Sequence, residues 1–119
     1  MSQTWPFELF PGVMNGWDNT PRNLNRGAVF AHASPGEYRR WLRAACDRAV
    51  GFRDPEKRLV FVNAWNEWAE GAYLEPDRRY GFAYLRATSD VLSLFRDDLR
   101  DKEGKKKRLS RISWDCCIM

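Results

Sequence analysis

The feature that most constrains the fold is an apolar run, RLVFV at residues 58–62, that ends directly in a cluster of polar and aromatic side chains. The run is nearly continuous and rich in β-branched residues, which is typical of a parallel β-strand covered on both faces. The cluster that follows, NAWNEWAEGAYLEPD at 63–77, contains three glutamates, two tryptophans and two asparagines. Because α/β folds place their sites where a strand gives way to a loop, we interpret this cluster as a functional site.

A capped amphipathic helix is predicted before this strand. Ser34, Pro35 and Glu37 match the N-cap, the first helical position and the glutamate of a capping box. The helix is predicted to end near Gly51, and its apolar residues recur at a spacing of three or four. These apolar residues are Tyr38, Leu42, Ala45, Cys46 and Ala49.

A second amphipathic helix is predicted after the cluster, from about residue 81 to residue 99. Residues 7–14, near the start of the chain, predict a short strand broken at Pro11. Strands that alternate with helices indicate βαβ units and a parallel sheet, so the predicted fold class is α/β. The apolar stripe predicted for the second helix comprises Leu85, Thr88, Leu92, Phe95 and Leu99.

Two βα units neither close a barrel nor cover both faces of a sheet. A (β/α)₈ barrel needs roughly 250 residues, whereas this chain has 119. We therefore interpret the chain as the C-terminal two βα units of a (β/α)₈ TIM-type barrel that is incomplete in this chain.

Charge divides the chain into a nearly neutral body and a basic tail. Residues 1–100 carry 14 Lys and Arg against 13 Asp and Glu, and residues 101–119 carry 6 against 3. The sequence pI near 9.2 thus reflects the tail rather than a basic surface for nucleic acid, so no nucleic-acid partner is expected. We predict a folded domain over residues 1–100 and a flexible tail over residues 101–119.

Cysteine usage and apolar pattern favour a cytoplasmic, reducing setting. Cys46, Cys116 and Cys117 are odd in number and lack both a disulfide framework and zinc-ligand spacing. No signal peptide is evident, and no run approaches the ~18 apolar residues of a membrane span. His32 is the single histidine, so we predict a satisfied structural role for it, no histidine-based metal site and no cofactor.

Glu67 and Glu70 are the candidate catalytic residues. They lie three residues apart, so a helical turn would place both carboxylates on one side. Glycoside chemistry uses such a pair, because one protonated carboxyl group donates to the leaving oxygen while the other, ionised, acts as base or nucleophile. The alternative from spacing alone is a solvated loop whose acidic residues cap the next helix.

The neighbours of this pair are candidate substrate-binding residues. Asparagine side chains can hydrogen-bond sugar hydroxyls, and tryptophan rings can cover the apolar face of a pyranose. The alternatives are ordinary packing for the tryptophans and, for Glu75 or Asp77, a cap at the start of the second helix. The candidates are Asn63, Trp65, Asn66, Trp68 and Glu75.

FVNAWNEWAEGAYLEPD, followed by YGFAYLRA, closely resembles the C-terminal signature of the WbsX-like family of bacterial glycosyltransferases from surface-polysaccharide gene clusters. The chain is also similar to glycoside hydrolase family 99, the endo-α-mannosidase group, which has a (β/α)₈ barrel and a related NEWHEG signature. FPGVMNGWDNTPR resembles the preceding WbsX strand and loop. The resemblance covers roughly residues 5–95.

The resemblance implies roles for individual residues. Glu70 would be the general acid/base, and Glu67 would assist at the sugar 2-hydroxyl, which acts as an internal nucleophile in the mannosidases. The sequence departs from that group at Ala69, where the mannosidases have His.

The WbsX-like loop contributes three more candidates, Trp17, Asp18 and Arg22. Trp17 is a candidate sugar platform, and Asp18 and Arg22 are candidate ligand contacts. The alternative for Asp18 and Arg22 is an ion pair that fixes their own loop.

The function that we favour is a carbohydrate-active enzyme, or part of one, that hydrolyses glycosidic bonds or transfers glycosyl groups in polysaccharide (O-antigen or lipopolysaccharide) metabolism. The chain lacks a nucleotide-sugar phosphate cradle and a D-x-D motif, which favours hydrolase-like chemistry. Six barrel strands would precede Met1 in a longer relative, so we expect little activity from the isolated chain. An inactive sugar-binding or interaction fragment is the main alternative.

The tail raises a third possibility. CCIM at 116–119 fits a C-a-a-X prenylation box, and KKKR at 105–108 lies upstream, as in a lipid-anchored protein. This interpretation is the weakest of the three, because the body resembles a bacterial family and the basic residues lack interleaved aromatics. Membrane association is therefore not expected.

Overall fold

Two short parallel strands and two helices form the core of the protein. The computed structural model describes residues 6–23 and 25–101. Strand β1, Gly12–Met14, pairs in parallel with β2, Phe61–Asn63, and helix α1, Pro35–Ala49, connects them. Helix α2 follows at Ala83–Asp101. The predicted parallel βαβ arrangement is confirmed.

Helix α1 forms as its sequence predicts. The Ser34 side chain accepts a hydrogen bond from the Glu37 N–H at 3.3 Å, and Pro35 occupies the first turn. The Glu37 carboxylate pairs with Arg40 instead of closing the capping box. The buried face of α1 consists of the five predicted residues, Tyr38, Leu42, Ala45, Cys46 and Ala49.

Helix α2 is rotated relative to the predicted apolar stripe. Leu85 and Leu92 are only partly buried, and Leu99 lies beyond the last residue whose side chain the structure describes. The rotation brings a tyrosine, an alanine and a valine, which the stripe did not include, into the core. The buried residues of α2 are Tyr84, Ala87, Thr88, Val91 and Phe95.

Polar groups at the contact between the helices satisfy one another. The Tyr38 hydroxyl and the Thr88 hydroxyl lie 3.0 Å apart, and the Thr88 hydroxyl also donates to the Tyr84 carbonyl oxygen at 2.9 Å. The rings of Tyr38 and Tyr84 meet edge to face at 5.6 Å. Burial raises the pKa of Tyr38 to about 12 and the pKa of Tyr84 to about 12.

Strand β2 is less covered than its apolar sequence predicts. Phe61 is 36% exposed, and Val62 and Asn63 are only partly buried. Within the described residues the β1–β2 sheet has two strands, and its helices pack around the buried Val13. The prediction of a strand covered on both faces is therefore wrong for this chain, because the described residues provide no second layer that covers β2.

A small antiparallel hairpin follows β2. Strands β3, Asn66–Glu67, and β4, Ala72–Tyr73, pair with Asn66 opposite Tyr73. A single 3₁₀ turn at Trp68–Glu70 joins them, and Gly71 closes it with a left-handed φ of 62°. The hairpin brings the acidic cluster back toward the end of β1.

None of the described helices is both long enough and apolar enough to cross a membrane. The prenylation box and the predicted flexible tail lie outside the described residues, except for Asp101, which ends α2.

Candidate functional site

Asn15 ties together the carboxyl ends of β1 and β2. Its side-chain amide donates to the Ala64 carbonyl oxygen at 2.8 Å, and its own carbonyl oxygen accepts from the Tyr84 hydroxyl at 3.1 Å. The side chain is buried, and its Oδ1 has no hydrogen-bond partner among the described residues. The sequence analysis did not select Asn15, although an asparagine directly after a strand is a signal that could have identified it.

The loop after β1 presents two of the predicted ligand contacts. The Asp18 carboxylate accepts hydrogen bonds from the Thr20 hydroxyl at 2.6 Å and from the Thr20 N–H at 3.0 Å. These bonds, the hydroxyl first, lower the pKa of Asp18. Trp17 is partly buried, and its carbonyl oxygen accepts from the Phe30 N–H at 2.9 Å.

Glu70 meets this loop through its backbone and its side chain. Its carbonyl oxygen accepts from the Asp18 N–H at 2.7 Å, and its carboxylate accepts from Arg22 Nη1 at 2.9 Å. The Glu70 side chain is 23% exposed and that of Arg22 is 61% exposed. Arg22 thus pairs with Glu70 rather than with Asp18, so the predicted alternative of an Asp18–Arg22 pair is wrong.

Tight packing holds the hairpin against the β1 loop. A Cβ atom on Gly16 would lie 2.8 Å from the Gly71 carbonyl oxygen, and one on Gly71 would lie 3.4 Å from Asp18 Cβ. Glycine at Gly71 also suits the left-handed backbone that ends the 3₁₀ turn. The close approach fixes the position of Glu70 beside the loop.

Trp68 and Tyr73 form a stacked aromatic pair on the hairpin. Their ring centroids lie 3.8 Å apart with an interplanar angle of 12°. Trp68 Nε1 donates to the Glu75 carboxylate at 2.6 Å, and the Tyr73 hydroxyl donates to Asp77 at 3.0 Å. Both rings are therefore fixed in orientation, while Trp68 remains 47% exposed.

The acidic residues after the hairpin have separate local partners. Glu75 holds the Trp68 indole instead of capping α2. Asp77 accepts from the Tyr80 N–H, and that bond is the main reason that the pKa of Asp77 is lowered. Burial, together with the bond to Asp77, raises the pKa of Tyr73. Of the two acids that the sequence proposed as caps, only Asp77 bonds to the backbone that leads into α2.

The other predicted residues are placed around this centre. Glu67 lies in β3 opposite Ala72 and is partly buried, so the helical turn contains Glu70 but begins after Glu67. Asn63 is paired with Met14 in the sheet, whereas Asn66 is exposed on β3. Trp65 is 41% exposed, and its carbonyl oxygen accepts from the Leu74 N–H at 2.8 Å.

A cleft with a volume of about 390 Å³ opens between the β1 loop and the segment that precedes α2. Asp18 and Gly71 line it near Glu70, and Tyr73, Arg79 and Tyr80 line it farther along the chain. The sequence analysis missed these last three residues, because nothing local in their sequence indicates a cleft.

His32 also lines this cleft, at a place that the sequence did not predict. It is exposed, and it has a left-handed φ of 64°. The prediction of a satisfied structural histidine is therefore wrong. Across the described part of the chain, no group of three or more His, Cys, Asp and Glu side chains is arranged to hold a metal ion.

Comparison with known proteins identifies relatives of this chain. A family model described as "Glycosyltransferase WbsX" matches residues 1–88. WxcX, an uncharacterized protein of Xanthomonas campestris pv. campestris, is 49% identical over 87 residues in both strain B100 and strain ATCC 33913. The match covers 73% of this chain but only 12% of each relative. No solved structure matches.

Proposed function

Since this chain belongs to the WbsX glycosyltransferase family, we propose that it forms part of a carbohydrate-active site that acts on glycosidic bonds in polysaccharide metabolism. The observation that carries the proposal is the ion pair between Arg22, in the loop after β1, and Glu70, in the hairpin that carries the Trp68–Tyr73 stack. A carboxylate for proton transfer and a flat ring for the sugar face are the groups that such a site needs.

Glu70 is the general acid/base in this proposal. It ends the 3₁₀ turn between β3 and β4. Its backbone carbonyl oxygen accepts from the Asp18 N–H, and Arg22 holds its carboxylate. Placement of a proton donor within reach of the leaving oxygen is the first requirement of general acid catalysis. Glu67, in β3, takes the second role at the sugar 2-hydroxyl, which follows the resemblance to glycoside hydrolase family 99.

The aromatic and amide side chains are the sugar-binding wall. Trp68 is held by Glu75, so its ring face has a fixed direction. Trp65 exposes a second ring on the same stretch of chain. Trp17, Asn63 and Asn66 complete the proposed wall, and Asp18 and Arg22 contact the ligand from the β1 loop.

The remaining partner that we propose is the rest of a WbsX-type polypeptide. β1 and β2 each have one strand neighbour in the described residues, whereas parallel sheets are normally covered on both faces and extended on both edges. A groove of about 450 Å³ beside β1 exposes Phe30 and Trp41. A (β/α)₈ barrel, with residues 1–100 as its last two units, would cover these surfaces and enclose the site.

The test is catalysis by WxcX in which the matching 87 residues are replaced by those of this chain. Hydrolysis is measured as release of nitrophenol from a panel of nitrophenyl glycosides. Transfer is measured as the product formed when the glycosyl group is passed to a sugar acceptor. We expect Glu70→Gln to lower kcat/KM by about 100-fold or more, because general acid/base groups contribute on that order. Glu67→Gln should also lower the rate, and the isolated chain should show little or no turnover.

Glu8→Gln is the matched control. Glu8 also forms an exposed ion pair, with Lys57 at 2.5 Å, but both residues precede their strands and lie at the other end of the sheet. We expect the control to leave the rate unchanged. Unchanged rates in both hairpin variants would refute the paired-acid assignment.

A second function, saccharide binding without catalysis, is favoured by two observations. The match covers a small part of each relative, and the cleft beside Glu70 is open. In this case WxcX that carries these residues would bind sugars, and the Trp68→Ala variant would lose that binding. Glu70→Gln would leave any reaction unchanged.

A further inference from the structure

Part of the cleft beside Glu70 has no role in the function proposed above. Asp18 and Gly71 line the cleft close to Glu70, since the Asp18 N–H donates to the Glu70 carbonyl oxygen. Tyr80 and Arg79, from the segment between β4 and α2, line it as well. The volume of about 390 Å³ lies within the range of small-molecule sites, roughly 300–1,000 Å³.

Arg79 brings a positive charge to this cleft. Its guanidinium carbon lies 4.8 Å from the centroid of the Tyr80 ring. Among the described residues, no carboxylate forms an ion pair with Arg79. The cations that do form ion pairs in this part of the chain are Arg22, Arg39, Arg40 and Lys57. A cation in a cleft without a carboxylate partner is suited to an anionic ligand.

The nearby acidic residues are already engaged elsewhere. Asp77 accepts hydrogen bonds from the Tyr80 N–H and from the Tyr73 hydroxyl. Asp18 accepts from the Thr20 hydroxyl and N–H. Neither carboxylate therefore neutralises Arg79 by direct contact.

Three tyrosines, Tyr73, Tyr80 and Tyr84, line the same cleft as Arg79. Burial raises the pKa of Tyr73 and the pKa of Tyr84, and the positive charge of Arg79 opposes the rise in both. The Tyr73 and Tyr84 hydroxyls already donate to Asp77 and to the Asn15 carbonyl oxygen. Their oxygens can still accept from sugar hydroxyls, while Arg79 is the group suited to pair with a ligand carboxylate.

We propose that this cleft binds an acidic sugar unit, with Arg79 pairing with its carboxylate and the Tyr80 ring lying beside it. Asp18 accepts from a sugar hydroxyl at the end of the cleft nearest Glu70. The inference rests on the proposed function, because it assigns an acidic saccharide as the substrate class of the same site.

The experiment compares methyl β-glucuronide with methyl β-glucoside, which differ in the carboxylate alone. Each is titrated into the ¹⁵N-labelled chain, and the dissociation constant is taken from the shifts of the Gly71 amide. We expect glucuronide to bind about tenfold more tightly, a typical difference for one charge-assisted contact. Arg79→Gln should reduce its affinity to that of the glucoside.

Arg78→Gln is the matched control, because Arg78 is an exposed neighbour that does not line the cleft. We expect it to keep the preference for glucuronide. Equal binding of the two glycosides, or binding of neither, would overturn this inference. The proposed function would still stand or fall on the rate of WxcX that carries these residues. Loss of stability in Arg79→Gln with an unchanged preference would also overturn it, since Arg79 would then pair with another part of the protein.

Discussion

The helix layer, formed by α1 and α2, and the hairpin, formed by β3 and β4, differ in how far they bury their large side chains. Between α1 and α2, Tyr38, Leu42 and Val91 are almost completely buried, and the hydroxyl groups there bond to one another. In the hairpin segment, Trp65 and Trp68 are large, yet each leaves over two fifths of its surface exposed. The helix layer therefore stabilises the fold, while the hairpin presents aromatic and acidic groups that remain available to a ligand.

The largest expected effect is on the helix layer. Leu42 is 2% exposed, so Leu42→Ala should lower the free energy of unfolding by about 2–5 kcal/mol through lost burial and a cavity. Leu94→Ala, at a site that is 44% exposed on α2, is the control and should change it by less than about 1 kcal/mol. Urea unfolding measures both, and equal losses would contradict a core centred on this layer.

Alkaline pH should also destabilise the helix layer. The folded-state pKa of Tyr38 is about 12 against an ordinary value of 10.0, so its contribution is present below pH 10 and is lost as pH rises through 12. The full loss should be about 3 kcal/mol, since the pKa rises from 10.0 to about 12 and each pKa unit is worth about 1.4 kcal/mol. The loss is measured as the decrease in the free energy of unfolding between pH 9 and pH 12, recorded at pH 9, 10, 11 and 12.

Tyr38→Phe is the comparison for this pH dependence. Burial also raises the pKa of Tyr84 to about 12 and that of Cys46 to about 11, so the variant should still lose stability at high pH, but less steeply. The same pH slope in the variant and in the unsubstituted chain would show that Tyr38 is not buried in its neutral form.

The smallest expected effect on stability lies in the hairpin. Trp68→Ala removes one stacked pair and should cost about 1 kcal/mol, and Trp41→Ala, which removes a similarly exposed ring that contacts Phe30, should cost about the same. The two variants should differ in their affinity for saccharides. We expect about a tenfold loss of affinity for Trp68→Ala, as for other stacked rings, and none for Trp41→Ala. Equal affinities would remove the distinction between the hairpin and the helices.

Local signals in the sequence predicted the start of α1 and its five buried residues. Its N-cap, its proline and its apolar spacing all lie within one short stretch, so no distant contact is needed to place them. The face of α2 was less predictable, because Tyr84 is turned inward by its bond to the Asn15 carbonyl oxygen, 69 residues away. The burial of β2 was also unpredictable from local sequence, because it depends on which other elements pack against its two faces.

The candidate site was predicted as a set of residues but not as an arrangement. Its defining ion pair joins Arg22 and Glu70 across 48 positions, and no local pattern indicates that contact. Strands β3 and β4 are two residues each, which is too short for a periodic signal. Gly71 after the acidic turn was the local signal for the hairpin, since a left-handed residue there favours glycine.

The central claim is that the hairpin, rather than the helix layer, is the ligand-facing part of this chain. The most direct measurement is a ¹H–¹⁵N correlation spectrum of the chain recorded with increasing methyl α-mannoside or methyl β-glucuronide. We predict progressive shifts of the Trp68 indole N–H and the Gly71 amide, with the Leu42 and Val91 amides unchanged. Shifts confined to α1 and α2, or no shift with either glycoside, would contradict the claim.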